Sequence, residues 1–493
     1  MMPTLNSASA SPAPFPAFAT TIAIVGAGFS GVAVAARLLS QRSSPPLKIV
    51  LINASGKRAR GVAYSTESSS HVLNVPAGRM SIWPEQPDDF LQFLRDTTQS
   101  AAPIGGHDFV PRSRYGDYLE RVLDSAQLNS PHQLLHHVGR VTDITESVDT
   151  AFTLQFADGA NLVAHKVVLA LGNFQPQNPH LAQMTDADAA AAFNHPAYLR
   201  DPWSAASSAA LQALPDHACA LLLGTGLSML DVAMLLLAPT NKTVNIDAIS
   251  RRGLLPQAHR DAVAGAHFAP HDELIPSALK AMADQRFSQP ATILAMLRAI
   301  REAIATHAPS DWRDVIAAIR PITPALWCAL PTQEQQRFIR HLAPYWDTHR
   351  HRAAPVPAMA LNNAINSGQI RPKAARIVAM QSIGDQLLVS TKARGSDVIA
   401  QEKYDLVINC TGPQNSLLQL PDTLIDSILN RGLARKLSNG AGFEVDADLN
   451  LHAAGLHYVG PLLRANFWEA TAVPELREHA RTVANAIVKT TIR

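Results

Sequence analysis

Two glycine-rich segments of this chain have the spacing of turns that bind the phosphates of a dinucleotide. One runs from Gly26 to Gly31 and the other from Gly224 to Ser228, and each follows an apolar run of strand length. Glycine lets the backbone approach a pyrophosphate, whose charge then faces the amides that open the next helix. Two such turns predict two bound nucleotides. The expected contacts are Gly26, Gly28, Ser30, Gly31, Gly224, Gly226 and Ser228.

Each turn requires a strand before it and a helix after it. The residue that ends the following strand normally contacts the ribose of the nucleotide. Asn53 and Arg251 occupy that position, at the same distance from the first glycine of their turns. The strand, helix and next strand predicted from the apolar pattern are residues 21–25, 29–39 and 48–53 in one unit, and residues 218–223, 228–237 and 244–250 in the other.

The two ribose positions differ in charge. Arg251 and Arg252 stand in the second unit, and guanidinium groups bind a 2′-phosphate through charge-assisted hydrogen bonds. This favours NADPH, whereas a pair that stacks on adenine or faces solvent leaves NADH equally acceptable. Asn53 replaces the usual carboxylate in the first unit, and its amide still donates to or accepts from ribose hydroxyls.

Composition limits the class of protein. The 493 residues are 47% hydrophobic with a formal net charge of +2, which gives no reason to expect a nucleic acid or an anionic membrane as partner. Cys219, Cys328 and Cys410 are scattered, and we expect them to be buried apolar side chains. No thiol pair follows the first turn, as a disulfide-reducing flavoprotein requires, and no zinc-type cluster or GxSxG nucleophile is present. We therefore expect no metal, and no catalytic side chain is assigned.

The N-terminal region resembles a membrane segment only superficially. Residues 20–36 are apolar or small, but they lack a basic flank, are shorter than a span and contain the first glycine turn. Residues 1–20 are rich in Ala, Ser and Pro and are predicted to form a disordered tail. We expect a cytoplasmic protein whose oligomeric state the sequence leaves open.

The rest of each unit follows one pattern, in which a β-meander leads to a buried strand and then to a glycine near the nucleotide, Gly172 or Gly412. The helical spacing of apolar residues predicts an insertion at about residues 257–360. A final strand, Gly460 and a last helix return the chain to the first unit. The predicted elements are the meanders 138–144 with 151–156 and 370–380 with 386–391, the buried strands 166–171, 404–410 and 450–459, and the helix 473–488.

These features predict an α/β fold with two Rossmann-like dinucleotide-binding domains, the second inserted in the first and carrying the helical insertion. The first domain comprises residues 21–210 and 411–493, and the second comprises residues 211–410.

Motifs along nearly the whole chain resemble those of the bacterial FAD/NAD(P)-binding flavoprotein family that includes FAD-dependent urate hydroxylases and aspartate N-monooxygenases. The chain departs from that pattern at Asn53, at Met229 in place of a third glycine, and at the Pro after Gly460. The motifs are GxGxxG (26–31), HVLNVP (71–76), FVPRSRYGDY (109–118), LALGN (169–173), GTGLSMLD (224–231), SRRG (250–253), WDTHRHR (346–352) and GPLLR (460–464).

The resemblance implies FAD in the first domain, NADH or NADPH as co-substrate in the second, and O₂ as the oxidant. It implies a monooxygenase that hydroxylates a small polar, anionic substrate through a flavin hydroperoxide, and urate is the best single guess. One alternative is N-hydroxylation of an amino acid such as aspartate. Others are an FAD-containing NAD(P)H reductase or electron-transfer protein, and a redox sensor that turns over negligibly.

Substrate contacts are expected from polar side chains near the flavin. Arg350, His351 and Arg352 form the densest cationic cluster and suit an anion, although a solvated helix end has the same composition. His71 lies in a loop that the resemblance places over the flavin, and a plain structural turn is the alternative. For Arg112 and Arg114 the sequence leaves two alternatives, a contact with the cofactor or a position on the surface. For His259 and Arg260 the alternatives are a place in the nicotinamide site or the capping of a loop.

Overall fold

A computed structural model describes residues 20–42, 45–98, 104–147, 151–238, 242–260, 273–286, 290–306, 311–414 and 416–491. The predicted disordered tail lies outside these residues except for Thr20, which opens the first strand. In chain order the strands are β1 (Thr20–Val25), β2 (Leu47–Asn53), β3 (Gln133–Val138), β4 (Val141–Glu146), β5 (Phe152–Phe156), β6 (Asn161–Ala164), β7 (Lys166–Leu169), β8 (Tyr198–Leu199), β9 (Cys219–Leu223), β10 (Asn245–Ser250), β11 (Ile370–Ile383), β12 (Gln386–Ala393), β13 (Ile399–Tyr404), β14 (Leu406–Asn409) and β15 (Leu456–Tyr458).

Helices surround these strands, and short 3-10 helices occupy Ala77–Arg79, Arg320–Ile322, Leu417–Gln419 and Pro461–Leu463. The α-helices are α1 (Phe29–Leu39), α2 (Gly61–Tyr64), α3 (Asp89–Thr97), α4 (Arg112–Leu128), α5 (Asp186–Phe193), α6 (Ala205–Ala213), α7 (Leu227–Leu236), α8 (Ser277–Ala283), α9 (Ile293–Thr306), α10 (Trp312–Ile319), α11 (Thr323–Ala329), α12 (Thr332–His341), α13 (Ala343–Arg350), α14 (Pro355–Asn366), α15 (Thr423–Asn430), α16 (Arg464–Phe467) and α17 (Val473–Thr491).

The first sheet is parallel and has the strand order β15-β7-β1-β2-β3. Its central strands are buried along most of their length because helices cover both faces, and α1 packs against α4 and α17. Val25, Leu169 and Tyr458 are aligned across β1, β7 and β15. The segments that follow these three strands, with Gly26, Gly172 and Gly460, therefore begin at the same edge of the sheet.

The second sheet has the order β13-β12-β11-β10-β9-β14-β8. Strands β8 to β11 and β14 are parallel, and the long strand β11 continues beyond the parallel part to pair antiparallel with β12. The predicted meander of the second unit is thus continuous with its parallel sheet. Strand β8 precedes residue 211, so this sheet begins upstream of the predicted start of the second domain.

Four predicted strands are shorter than expected, and one of them, 166–171, is represented by β7 as far as Leu169 only. Val138 ends β3 of the parallel sheet, and the meander begins only at Val141. Tyr404 ends β13 before β14 begins at Leu406. Of residues 450–459, only β15 is a strand, because Gly455 turns the chain at φ +88° just before it. In each case the predicted run merges two elements or an element with the turn beside it.

The helical insertion and the C-terminal segment complete the molecule. Helices α8 to α13 pack around their own apolar cluster, which includes Leu279, Val315 and Trp327 and takes in Trp468 from the C-terminal segment, whereas α14 packs in the core of the second sheet. From Leu417 onward the chain contributes to the core of the first sheet, as far as α17. Because these residues share the core of the first sheet, the chain returns to the first unit after the second.

The three cysteines are all free, but they are not all buried as expected. Cys410 is buried, Cys219 is partly buried and Cys328 is exposed on α11, so the expectation is wrong for Cys328. Among the described residues, no cluster of His, Cys, Asp and Glu has the makings of a metal site. Within the same residues, none of the helices combines the length and apolarity needed to cross a bilayer.

Candidate active site

The two glycine turns have nearly identical backbones. Gly26 and Gly224 have φ of +115° and +110°, and the N-cap residues of α1 and α7, Gly28 and Gly226, have φ/ψ of −85°/−166° and −90°/−161°. No side chain caps either helix and no acidic residue stands in either first turn. The first amides of both helices therefore remain available to a phosphate, whose charge the helix dipole favours.

Close approach explains why the first residue of each turn is glycine. A Cβ on Gly26 would lie 2.0 Å from the carbonyl oxygen of Ala170, and one on Gly224 would lie 2.4 Å from that of Cys410. A Cβ on Gly31 would lie 1.8 Å from the carbonyl oxygen of Gly26. The second unit has the buried Met229 at the equivalent position, so α7 cannot approach its turn as closely as α1 does.

Other glycines border open space instead. A Cβ added to Gly172, Gly226 or Gly412 would meet no atom within 4 Å. Gly28 faces Gly61, whose Cα would lie 3.6 Å from an added Cβ, and Gly460 is packed against the Tyr458 hydroxyl. The open space beside Gly172, Gly226 and Gly412 can accommodate bound nucleotides.

The two ribose positions differ in how their side chains are engaged. Asn53 donates to the Lys57 carbonyl at 2.7 Å and pairs with the ring of His136 at 2.9 Å, so most of its hydrogen-bonding capacity is used within the protein. Arg251 is exposed and makes no hydrogen bond or ion pair with a described residue, whereas Arg252 donates to the Arg340 carbonyl at 3.0 Å. Arg251 is the side chain available to a 2′-phosphate.

A cavity of about 1090 Å³ joins the two units and the helical insertion. The second turn, Asn173, the loop before Arg79, helix α13 and the start of α17 all line it. Among the described residues that line it, nine are arginines and Asp347 is the one carboxylate. The nine are Arg79, Arg112, Arg251, Arg252, Arg320, Arg350, Arg352, Arg376 and Arg464. Such a surface favours anionic ligands.

Four of these arginines are held by carboxylates. Arg112 pairs with Asp231 at 2.8 Å, Arg320 binds Glu475, Arg350 pairs with Glu469 at 3.1 Å, and Arg464 pairs with Asp347 at 2.8 Å. Burial disfavours an unpaired charge, so these pairs fix the positions of the guanidinium groups as well as neutralising them. The predicted residue Arg350 therefore lines the cavity as one member of an internal ion pair.

His351 and Arg352, which the sequence predicts to be substrate contacts, also line the cavity. Burial, together with the charges of Arg350, Arg464 and Arg320, lowers the pKa of His351 well below its ordinary value, so its ring is neutral at pH 7. Its Nε2 lies 3.8 Å from a carboxylate oxygen of Asp347. Burial raises the pKa of Asp347, although Arg464 opposes that shift.

His71 has a different place from the one expected of a substrate contact. It is 3% exposed, does not line the cavity, and its two ring nitrogens lie 3.1 Å from the Asp231 carbonyl oxygen and 2.8 Å from the Thr66 hydroxyl. This placement favours the structural-turn interpretation, in which His71 ties the loop to α7. Arg112 donates to Val72 and Asp231 beside it.

The structure also places Arg114, Arg260 and His259, for which the sequence left alternatives open. Arg114 bonds Asp117 and Thr97 away from the cavity, and Arg260 pairs with Asp314 in the insertion. His259 lines the cavity and bonds the Asn74 carbonyl at 3.0 Å, so it joins the insertion to the loop of the first unit.

Sequence reasoning missed four lining arginines. Arg79, Arg320, Arg376 and Arg464 come from distant parts of the chain, and only Arg464 belongs to a motif that the sequence singled out. An isolated arginine beside apolar residues has no spacing signal, so proximity in the fold is what reveals it.

Comparisons with known proteins agree with this geometry. Residues 23–174 match the model of a family described as FAD-NAD(P)-binding. No curated protein matches the chain.

Solved structures share the fold over almost the whole chain. An ornithine N-hydroxylase from Kutzneria sp. 744, solved with reduced FAD, NADP⁺ and L-ornithine, is 13% identical, with a TM-score of 0.63 over 96% of this chain and 99% of its own. A cadaverine monooxygenase from Erwinia amylovora, bound to FAD, is 12% identical, with a TM-score of 0.60 over 94% of both chains.

An L-lysine 6-monooxygenase from Pseudomonas syringae is 15% identical, with a TM-score of 0.59 over 96% of this chain and 100% of its own. At these identities the likeness is one of fold. The chain is therefore an α/β protein with the fold of dinucleotide-binding flavoproteins, and its residues 23–174 are similar to the FAD-NAD(P)-binding family.

Proposed function

We propose that this protein is an FAD-dependent, NADPH-consuming monooxygenase that hydroxylates the amine nitrogen of an anionic amino acid, with aspartate as the representative substrate. The observation that carries the proposal is the arginine-lined cavity, which joins the second nucleotide turn to the loops of the first unit. The solved structures that share the fold support amine hydroxylation, because their named substrates are ornithine, lysine and cadaverine.

Residues of the first unit fit the flavin nucleotide. The uncapped N-terminus of α1 and the close-packed turn at Gly26 suit a pyrophosphate, and the open backbone at Gly172 lies at the same edge of the sheet. FAD bound there would accept two electrons from a reduced nicotinamide and would then activate O₂. The protein contributes binding, orientation and charge.

Residues of the second unit fit the reduced nicotinamide nucleotide. Open space adjoins Gly226 and Gly412, and both glycines line the cavity. Arg251 offers an unpaired guanidinium at the ribose position, which favours the 2′-phosphate of NADPH over NADH.

The charge of the cavity suits both the recognition and the reactivity of an anionic amino acid. Carboxylates of such a substrate are attracted by the guanidinium groups. An ammonium surrounded by positive charge has a lowered pKa, and the neutral amine is the form that attacks an electrophilic oxygen. Asp347, the lining carboxylate, is itself paired with Arg464 and so offsets little of this field.

Urate hydroxylation is the second candidate, because urate is also a small anion and the same cavity attracts it. A disulfide reductase fits less well. The cysteines at 219, 328 and 410 are free thiols in separate parts of the fold, so they do not form the dithiol that such a reaction uses.

The test is to measure NADPH oxidation under air by the purified flavoprotein with L-aspartate, L-ornithine, L-lysine and urate. We expect aspartate to stimulate oxidation and to yield an N-hydroxylated product with little hydrogen peroxide. Stimulation by urate with a hydroxylated purine product would support the second candidate instead. Oxidation indifferent to all four compounds, with fast transfer to artificial acceptors, would reject both in favour of a reductase.

A further inference from the structure

Arg352 is a buried cation that has no hydrogen-bond or ion-pair partner among the described residues. It is 9% exposed, its Nε is buried without a hydrogen bond, and it makes no hydrogen bond or ion pair with any described residue. A buried charge without hydrogen bonds is costly, and burial with three neighbouring arginines lowers the pKa of Arg352 to about 10 against the opposing charge of Asp311. Because Arg352 lines the cavity, a ligand anion is the partner that its position allows.

Arg79 is a second lining arginine without a side-chain partner among the described residues, although its side chain is exposed where that of Arg352 is buried. It ends the 3-10 helix Ala77–Arg79 and lines the cavity, and its guanidinium makes no hydrogen bond or ion pair with a described residue. Partial desolvation at the cavity and the charge of Arg320 lower the pKa of Arg79. The two arginines line the same cavity, and the charge of Arg79 is among those that lower the pKa of Arg352.

Backbone contacts fix both arginines in place. Ala353, next to Arg352, receives a hydrogen bond from the amide of His259 at 2.9 Å, and the His259 ring bonds the Asn74 carbonyl at 3.0 Å. Asn74 lies on the loop that leads into the 3-10 helix carrying Arg79. These hydrogen bonds hold the helical insertion against the first unit beside Arg79 and Arg352, both of which line the cavity.

The remaining cavity arginines do not offer the same site. Arg112, Arg320, Arg350 and Arg464 are neutralised by carboxylates. The other three, Arg251, Arg252 and Arg376, belong to the second unit, where Arg251 and Arg252 follow β10 and Arg376 lies on β11.

We propose that Arg79 and Arg352 together form the subsite for the carboxylate that distinguishes an acidic amino acid from a neutral one. The inference rests on the proposed function, since it names the substrate group that the cavity selects. Two guanidinium groups facing one carboxylate give charge-assisted hydrogen bonds that an amide in its place cannot reproduce. The pair is then a specificity determinant of the amino-acid site and contributes nothing to NADPH binding.

The experiment titrates oxidised holoenzyme with L-aspartate and L-asparagine by calorimetry, for the wild type and for Arg352→Gln, Arg79→Gln and Arg352→Lys. We expect the wild type to prefer aspartate. Arg352→Gln should weaken aspartate binding at least about 30-fold, because a buried charged partner is lost, and Arg79→Gln, at an exposed side chain, should weaken it by about 3- to 10-fold. Both variants should bind asparagine nearly as before. Arg352→Lys, which keeps the charge but loses the fork, should fall between.

Matched measurements keep the outcome clear. Arg394→Gln removes an exposed arginine that does not line the cavity and should change neither affinity. The KM for NADPH should stay within about threefold in every variant, and FAD content and melting temperature report folding. A glutamine variant that fails to fold is replaced in the comparison by Arg352→Lys.

Three results would overturn the subsite: equal binding of aspartate and asparagine by the wild type, aspartate affinity unchanged in both glutamine variants, or a rise in the KM for NADPH without a loss of aspartate binding. Selective aspartate binding that depends on both arginines, but without stimulated NADPH oxidation, would uphold the subsite and reject the proposed function. Efficient N-hydroxylation of aspartate by Arg352→Gln at wild-type KM would uphold the proposed function and reject the subsite.

Discussion

Single residues at this site are of two kinds, those fixed by the protein and those left for a ligand. Arg350 and Arg464 hold internal carboxylates, whereas Arg251 and Arg352 hold none among the described residues. The glycines divide in the same way. A Cβ on Gly31 would clash with the backbone of its own turn, but a Cβ on Gly226 would enter open space. Substitutions at the two kinds of position should therefore have different consequences.

Arg251→Ala tests the 2′-phosphate contact. We expect the KM for NADPH to rise about 10- to 100-fold, because hydrogen bonds to a charged group contribute about 1.5–3 kcal/mol each. The KM for NADH, which lacks the phosphate, should change less than about threefold. Steady-state kinetics with both nucleotides measure the difference, and equal effects would remove the phosphate contact from the proposal.

Gly226→Ala tests whether the open space at the second turn holds a nucleotide. The new Cβ meets no protein atom and φ is −90°, so the free energy of unfolding should change by less than about 1 kcal/mol. Binding of NADPH should weaken at least about tenfold, with FAD content unchanged. Gly31→Ala is the contrasting variant, since its Cβ falls 1.8 Å from the Gly26 oxygen and should destabilise the fold itself. Wild-type affinity in Gly226→Ala would move the nucleotide elsewhere.

At the scale of elements, α13 connects the core of the insertion to the site. Its Trp346 packs with the apolar cluster of the insertion, while Asp347 and Arg350 line the cavity. Arg350 reaches Glu469 near the C-terminal helix, and both side chains are almost completely buried. The position of the cavity-lining face of α13 is therefore set from two directions, by apolar packing behind it and by ion pairs in front.

Glu469→Ala tests the second of these constraints. Removing Glu469 leaves the buried Arg350 with only Glu475, which lies 4.0 Å away and already binds Arg320, so the free energy of unfolding should fall by about 3 kcal/mol. Lys392→Ala is the matched control, because Lys392 pairs with a fully exposed Asp397 and its loss should cost less than about 1 kcal/mol. Denaturant titration of both variants measures the contrast. A similar small cost for both would show that Arg350 is held by other contacts.

At the scale of the whole molecule, two sheets and a helical insertion enclose one cationic cavity, and several histidines are buried in the surrounding framework. Burial lowers the pKa of His259, His457 and His479 to about 4 each. These rings are neutral in the folded protein at pH values where the unfolded chain binds a proton. Acid should therefore favour unfolding well above the range in which most carboxylates titrate.

His457→Gln tests this pH dependence. The ordinary histidine pKa is about 6.5, so stability contributed by neutral His457 is present above pH 6.5 and is lost progressively as the pH falls from 6.5 to 4, by about 2 kcal/mol at pH 5. Asp347 and Asp231, whose pKa values burial raises, act in the opposite direction in both proteins. Denaturant midpoints at pH 7 and pH 5 should differ less in the variant than in the wild type. An identical pH response would mean that His457 is protonated in the folded state.

The amino-acid sequence by itself determined the two glycine turns and the strand and helix around each. These features are local. A positive φ at Gly26, a close approach at Gly31 and an uncapped helix start each depend on a few consecutive residues, and helix α1 has the predicted bounds. The apolar strands were also readable, apart from ends where a turn such as that at Gly455 interrupts the run.

Only the tertiary structure decided which charged residues form the cavity and which of them are free. Arg79 and Arg352 lie far apart in the sequence, and neither carries a spacing that relates it to the other. His71, in contrast, belongs to a conspicuous motif but is used to join a loop to α7. The physical reason is that the state of a charge depends on the partners within about 4 Å, and those partners come from segments that only folding brings together.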